Sequence, residues 1–287
     1  MRLGFMRLGF VLRVLFALVM ATTLTAAAPA SSARVPYLAL GDSITFGYIN
    51  EAGFEYVNPN NFVGFPNYIQ QASSLVVRNA SCPGETTGSF LSATAPDNGC
   101  RLYRAAAPLH VAYKSTQLQF AMAFLKAHPE TKLVTIGLGA DDVLLLENEC
   151  AGNLACIAAG LPQVLATVAD NMGTILADLR ATGFNGTMIV VNYYSVDYTN
   201  ASDTAIIELL NETLAVAAAT RGAIVADAFS AFKAAAASTN GHTCNAGLLN
   251  ALPANQFLCD VHPSQSGQAL IAKTVESTPK TVYEGSR

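Results

Sequence analysis

Three places in this 287-residue sequence carry side chains whose types and spacing suit chemistry. The first is Ser43, in a Gly41-Asp42-Ser43 turn that ends an apolar run. A hydroxyl directly after a strand has its backbone held, and a helix start beyond it favours nearby negative charge, so the position suits a nucleophile. The same Asp/Ser pair also suits a helix cap. The second is His262, with Asp260 two residues before it and Pro263 after it, so that a short, rigid loop presents an imidazole beside a carboxylate. That pair suits a general base and the group that orients it. Of the other histidines, His128 precedes Pro129 and suits a cation at a helix C-terminus. His110 and His242 lie in irregular stretches with no carboxylate close in sequence. The third place is Gly139-Ala140-Asp141-Asp142, where an apolar run stops at two adjacent acids. These acids suit metal ligands, an acid/base pair, a helix cap, or an altered form of another group. Adjacent residues at a strand end diverge and no histidine lies nearby in sequence, so metal binding is the poorest of the four.

The elements that must position these groups alternate. Short apolar runs at 35–40, 74–80, 132–138, 187–194 and 223–228 have the length and composition of buried strands. Helical stretches follow. One begins at Ser115 or Thr116, one has Pro162 in its first turn and Gly183 after its end, one enters at Ser202-Asp203 and leaves at Gly222, and one closes the chain over 264–277. Apolar strands separated by helices predict a parallel sheet covered on both faces. In such sheets reactive groups gather in the crevice beyond the strands' carboxyl ends. Ser43, Gly84 and the paired acids each follow a strand, the stretch around Tyr193 and Tyr194 lies around the end of the fourth, and the Asp260–His262 loop precedes the last helix.

Residues 1–33 have a basic start (Arg2, Arg7, Arg13), an apolar middle and small residues ending at Ala33, the pattern of an export signal. Residues 34–287 then form one domain, with no linker or repeat dividing them. Without the three leader arginines, 13 Lys and Arg face 20 Asp and Glu, a charge of −7. Such a surface offers no basic face to nucleic acid and no attraction to anionic membrane, and no stable membrane span is expected. Six cysteines in an exported chain predict disulfides, and local closure favours Cys82–Cys100, Cys150–Cys156 and Cys244–Cys259. No Cys/His spacing suits zinc. The Asn-x-Ser/Thr sites at Asn79, Asn185, Asn200 and Asn211 matter only in a host that glycosylates them.

Gly-x-Ser-x-Gly, the nucleophile elbow of α/β-hydrolases, is absent. Asp42-Ser43, Gly84 after Asn79-Ala-Ser-Cys-Pro, Gly139–Asp142 and Asp260–Ser264 instead appear in the order of the four sequence blocks of the GDSL, or SGNH, hydrolases. The chain resembles the secreted bacterial lipase/esterase branch over nearly all of residues 34–287. The resemblance implies a three-layer αβα sandwich, flavodoxin-like, on a five-stranded parallel sheet. It implies an ester hydrolase with no metal or cofactor, acting as a monomer on a small-molecule ester or lipid. By position, Ser43 is the nucleophile, His262 the base and Asp260 its orienting acid, although many members place that acid three residues before the histidine. A backbone carbonyl is the alternative orienting group. Ser43, Gly84 and Asp141 fall at the oxyanion positions, and a Cβ at residue 84 is expected to crowd the approach of substrate.

Asp141 departs from the family pattern, which carries Asn there. An ionised carboxylate has no N–H or O–H to donate. Two negative charges roughly 3.5 Å apart repel by about 5 kcal/mol at an effective dielectric near 20, whereas losing one oxyanion donor costs about 2.7–4 kcal/mol. Three alternatives follow: Asp141 is protonated and donates; it turns away and leaves Ser43 and Gly84 to act alone; or the protein binds ligand without turnover. Burial and Asp142 are the expected causes of protonation. Phe46, Tyr48, Phe54, Tyr193 and Tyr194 are candidates to line an apolar substrate arm. A carbohydrate O-acetyl esterase is the alternative enzyme, and an exported binding protein the alternative outside enzymes.

Overall fold

The structure is a computed structural model that describes residues 34–278. The expected signal segment, 1–33, lies outside the described residues. Strand β1 (Val35–Gly41) leads into the one-turn helix α1 (Ser43–Phe46), and two short 3-10 turns precede α2 (Phe65–Ala72). Then come β2 (Leu75–Asn79), the short helices α3 (Thr87–Leu91) and α4 (Cys100–Ala106), α5 (Gln117–Ala127), β3 (Leu133–Gly137) and α6 (Ala140–Glu149). The long α7 (Leu154–Ala181) is followed by β4 (Thr187–Val191), α8 (Ala201–Thr220), β5 (Ile224–Ala226) and α9 (Ala228–Ala235). A ribbon of β6 (Leu249–Leu252) and β7 (Asn255–Pro263) leads into α10 (Gln265–Ser277).

Strands β1 to β5 pair in parallel in the order 2-1-3-4-5. The expected doubly wound sheet is present, with all five strands where the apolar runs lie. The two-residue period of a strand divides its side chains between two cores. Leu38, Leu40, Val134, Ile136 and Val190 pack beneath α5, α6, α7 and α8. Tyr37, Ala39, Leu133, Ile189 and Val191 pack against α2, α9 and α10. Strands buried on both faces have no polar side to display, which is why they read as unbroken apolar runs.

The caps follow the local chemistry. Thr116 accepts from Gln119 N–H (3.2 Å) at the start of α5, and Ser264 from Gly267 N–H (3.3 Å) at the start of α10. Helix α7 starts earlier than its sequence suggests: Asn153 caps it, accepting from Cys156 N–H at 3.1 Å, and the helix runs through Pro162. The Ala- and Gly-rich residues 154–160 carry little pattern of their own. Their helix is set by that cap and by the adjacent Cys150–Cys156 bridge. All three expected cysteine pairs lie at disulfide distance, Cys82–Cys100, Cys150–Cys156 and Cys244–Cys259.

Two other expectations change. Asp141 and Asp142 stand in the first turn of α6, two and three residues beyond the Gly139 cap, rather than at a strand tip. His262 and Asp260 lie on β7 instead of a free loop. This ribbon pairs irregularly, with Leu249 opposite Pro263 and Ala251 opposite Cys259, so neither strand shows a clean alternation. Among the glycosylation candidates, Asn79 and Asn211 are buried, and only Asn185 and Asn200 face solvent.

Candidate active site

The end of β1 is held from several sides. Gly41 N–H donates to Gln117 Oε1 at 2.6 Å, and Gln117 Nε2 donates to Gly41 O at 3.0 Å. Asp42 N–H donates to Gly137 O at the end of β3 (3.0 Å). A Cβ at Gly41 would lie 2.3 Å from that same Gly137 oxygen, and φ is +146°, so this crossing of strand ends requires glycine. Asp42 then caps α1, accepting from Ile44 N–H at 2.9 Å, while Tyr193 O–H donates to its other oxygen at 2.5 Å. Burial pushes the Asp42 carboxyl up to about 6, against the opposing pull of Tyr193. The turn fixes Ser43 at the first position of α1.

The ribbon carries the partner group across the molecule. His262 Nε2 is 3.0 Å from Ser43 Oγ, although 219 residues separate them. Asp260 Oδ2 lies 3.2 Å from His262 Nδ1, and Asp260 Oδ1 accepts the His262 backbone N–H at 2.8 Å. One carboxylate thus grips both the ring and the backbone that bears it, which is how a two-residue spacing between acid and histidine orients the imidazole. Tyr194 O–H donates to the intervening Val261 carbonyl at 2.5 Å, and the Tyr48 ring lies 4.8 Å from the imidazole. The Asp260 side chain is 10% exposed and that of His262 14%, enough for solvent or substrate to reach the ring.

Gly84 lines the same site, in a turn with φ +81°. The expectation that a Cβ at residue 84 would crowd substrate is corrected: it would lie 2.4 Å from the Asn98 carbonyl oxygen. Glycine is needed because the turn carrying Asn98 packs there, with Asn98 N–H donating to Gly84 O at 2.8 Å. Among the described residues, no protein acceptor is paired with the backbone N–H of Ser43 or of Gly84. Two unpaired donors at one cavity wall suit a developing oxyanion.

The paired acids diverge. Asp142 turns to α3, where its oxygens accept from Thr87 N–H (2.9 Å) and Thr87 O–H (2.7 Å). Asp141 lines the cavity beside Ser43 and Gly84, is 4% exposed, and accepts from Asn98 Nδ2 at 2.8 Å through Oδ1. Its pKa is raised well above the ordinary carboxylate range, first by burial and next by Asp42. Asp142, the neighbour expected to raise it along with burial, does so as a smaller cause than Asp42, its side chain being turned to Thr87.

These groups open onto a cavity of about 950 Å³ with mainly apolar walls. Ile44, Val143, Leu144, Ile206 and Ile207 line it together with Tyr48, Tyr56, Leu102 and Tyr103. Of the five aromatic candidates, Tyr48, Tyr193 and Tyr194 line it. Phe46 is buried in a separate core with Phe62, and Phe54 is 93% exposed.

A doubly wound α/β sheet with a hydroxyl, an imidazole and a carboxylate in line at its carboxyl edge defines the class of esterase-like αβα domains. The chain belongs to the GDSL-like lipase/acylhydrolase family, which it matches over residues 39–270, and its coarse class is therefore that of an ester hydrolase. Similar solved structures include phospholipase A1 from Streptomyces albidoflavus NA297, 18% identical with a TM-score of 0.58, which covers 85% of this chain and 99% of that one. The extracellular lipase of Streptomyces rimosus is 16% identical with a TM-score of 0.56, covering 85% and 99%. An acetyl-xylooligosaccharide esterase from Geobacillus Stearmophilus is 15% identical with a TM-score of 0.50, covering 84% and 92%. At these identities the likeness is one of fold. No curated protein matches the chain in sequence.

Asn98, Gln117 and Glu85 are site residues that the sequence reading passed over. Gln117 looks like an ordinary first residue of a helix. Glu85, pushed up to about 7 by burial, accepts from Gln117 Nε2 at 2.9 Å and Ser89 O–H at 2.5 Å beneath the site. A signal for Asn98 was available: closing Cys82 onto Cys100 brings the residues just after one to those just before the other.

Proposed function

We propose that the protein is an exported serine esterase or lipase that hydrolyses acyl esters bearing an extended apolar arm, through an acyl-Ser43 intermediate. The observation that carries this reading is the chain Ser43 Oγ–His262 Nε2 (3.0 Å) and His262 Nδ1–Asp260 Oδ2 (3.2 Å) at the mouth of the apolar cavity. Three cysteine pairs support export. Ser43 Oγ attacks the ester carbonyl as His262 Nε2 takes its proton, and Asp260 stabilises the imidazolium that forms. The oxyanion accepts hydrogen bonds from the Ser43 and Gly84 N–H groups and from Asp141 in its neutral form. When the intermediate collapses, the alkoxide leaves with the proton from His262. Water then attacks the acyl-serine, losing its proton to His262, and the carboxylic acid departs as Ser43 regains its hydrogen.

A fluorophosphonate probe is expected to label Ser43, located by mass spectrometry, and Ser43→Ala is expected to abolish labelling and lower kcat by roughly six orders of magnitude. Folded wild-type protein that takes up no probe would favour an exported binding protein. Nitrophenyl esters of increasing chain length, set against acetylated sugars, test the substrate. A cavity of this size favours medium or long acyl chains, and a preference for acetyl groups would overturn that assignment.

A further inference from the structure

Asp141 presents its two oxygens to different surroundings. Oδ1 accepts the Asn98 amide at 2.8 Å, and Oδ2 has no protein partner among the described residues. Asn98 is itself fixed at three points. Its backbone N–H donates to Gly84 O at 2.8 Å, its neighbour but one is the bridged Cys100, and its Oδ1 accepts from Asn148 Nδ2 at 3.4 Å. With the Asn98 amide facing this way, its oxygen takes the Asn148 donor and its NH2 is left for Asp141.

We infer that Asn98 is a positioning residue that turns the Asp141 carboxyl into a substitute for an asparagine side chain, with its carbonyl oxygen tethered and its hydroxyl free to donate toward the oxyanion. The inference rests on the esterase reading and deepens it. In a neutral carboxyl one oxygen carries the proton and the other is a pure acceptor. A donor at Oδ1 makes that oxygen the acceptor and leaves the proton on Oδ2, in a residue that lines the same cavity as Ser43 and Gly84. Bound amide and neutral carboxyl then have the same layout, one C=O and one donor on a planar fork. No proton is transferred; Asp141 keeps it throughout and only donates a hydrogen bond.

The groups that bear on the charge of Asp141 come from every side of the site. Asp42 on the β1 turn, Asp142 on its own helix and Glu85 below all oppose ionisation, and Asn98 alone favours it. The carboxyl of Asp42 belongs to the same cluster as Tyr193 and His262. Removing Asn98 therefore has two effects of different kind. Donor orientation is lost, which lowers kcat, and the ionised form of Asp141 loses its one favourable contact, which moves the alkaline decline of activity to higher pH.

The experiment compares kcat against pH for wild type, Asn98→Ala, Asp141→Asn and the double variant, using a nitrophenyl ester. Asn98→Ala is expected to lower kcat roughly ten- to hundredfold, with KM little changed and the alkaline limb displaced upward. Asp141→Asn, close in volume to wild type, is expected to lack that limb with or without Asn98. An alkaline limb that stays in place in Asn98→Ala, or that persists unchanged in Asp141→Asn, would overturn the inference. Fluorophosphonate labelling of Ser43 in each variant separates the two levels: retained labelling with an unmoved limb rejects the role of Asn98 alone, while absent labelling in folded wild type rejects the esterase reading itself.

Discussion

Asp260 illustrates how much a single side chain decides. Both of its oxygens are committed to His262, one to the ring at 3.2 Å and one to the backbone N–H at 2.8 Å. The short Asp-Val-His spacing leaves a backbone carbonyl as the alternative, and Asp260 stands at hydrogen-bond distance from the ring. Replacing Asp260 by Asn would keep the size and lose the acceptor on the Nδ1 side, favouring the tautomer with its proton on Nε2, which cannot take one from Ser43. Asp260→Asn is expected to lower kcat by roughly 10³- to 10⁴-fold. Substrate KM should change little, because the acid does not line the main cavity. A loss of less than about tenfold would show that another group orients the imidazole. Gly84 carries a second lesson: its glycine answers a neighbouring turn rather than substrate, so the residue type was legible and its cause was not.

At the scale of elements, the ends of β1, β3 and β7 have to meet, and buried polar clamps hold them. Gln117, at the first turn of α5, serves Gly41 N–H, Gly41 O and Glu85 together. Gln117→Leu would leave the Gly41 N–H buried without its acceptor and take one of two donors from Glu85, while Gly41 O keeps the Cys82 N–H at 3.0 Å; each lost contact costs about 1–3 kcal/mol, softened by rearrangement. The variant is expected to unfold about 2 kcal/mol more easily in denaturant, and a change below about 1 kcal/mol would mean that water or a neighbouring side chain replaces the clamp. Gln268 acts similarly from α10, accepting from Phe65 N–H at 2.7 Å and donating to Ile44 O at 3.0 Å. Neither glutamine was legible, because a clamp is defined by partners distant in sequence. The strands were legible because burial on both faces leaves five apolar runs, and Thr116 and Ser264 marked their helices because caps are local. The β6–β7 ribbon escaped because its irregular register erases the two-residue period. His262 and Asp260 were recognisable in sequence, but the strand that carries them was not.

Across the whole molecule, carboxyl groups with raised pKa gather beneath the carboxyl edge of the sheet: Asp42 at about 6, Glu85 at about 7, and Asp141 and Asp142 also raised, each chiefly by burial. Opposite shifts occur elsewhere, as at Asp197 and Asp227, where hydrogen bonds with Thr199 and Ser230 outweigh desolvation. The two sets act on stability with opposite sign. Depressed acids contribute stability above their unfolded pKa that is lost as pH falls through the folded value. Raised acids bind a proton more tightly when folded, so their favourable contribution is present at low pH and declines as pH rises from the ordinary carboxylate range through the folded value. For Glu85 that window runs from 4.5 to about 7, a difference on the order of 3 kcal/mol. Stability should therefore peak in mildly acidic solution and fall toward neutrality, the reverse of a protein dominated by salt-bridged acids. Glu85→Gln retains an oxygen for Gln117 and offers an amide to Ser89, so it removes the charge without orphaning its partners. Denaturant unfolding at about pH 5 and about pH 8, with disulfides intact, should show a shallower decline for the variant and a gain over wild type only at the higher pH. A wild-type stability that rises across that interval, or a variant that declines as steeply, would mean that this buried acid is not holding its proton. Glu85 also bears on Asp141: once ionised, it adds a negative charge that holds the Asp141 proton more firmly, so Glu85→Gln should leave Asp141 easier to ionise, which ties the stability curve of the whole fold to the chemistry proposed at its edge.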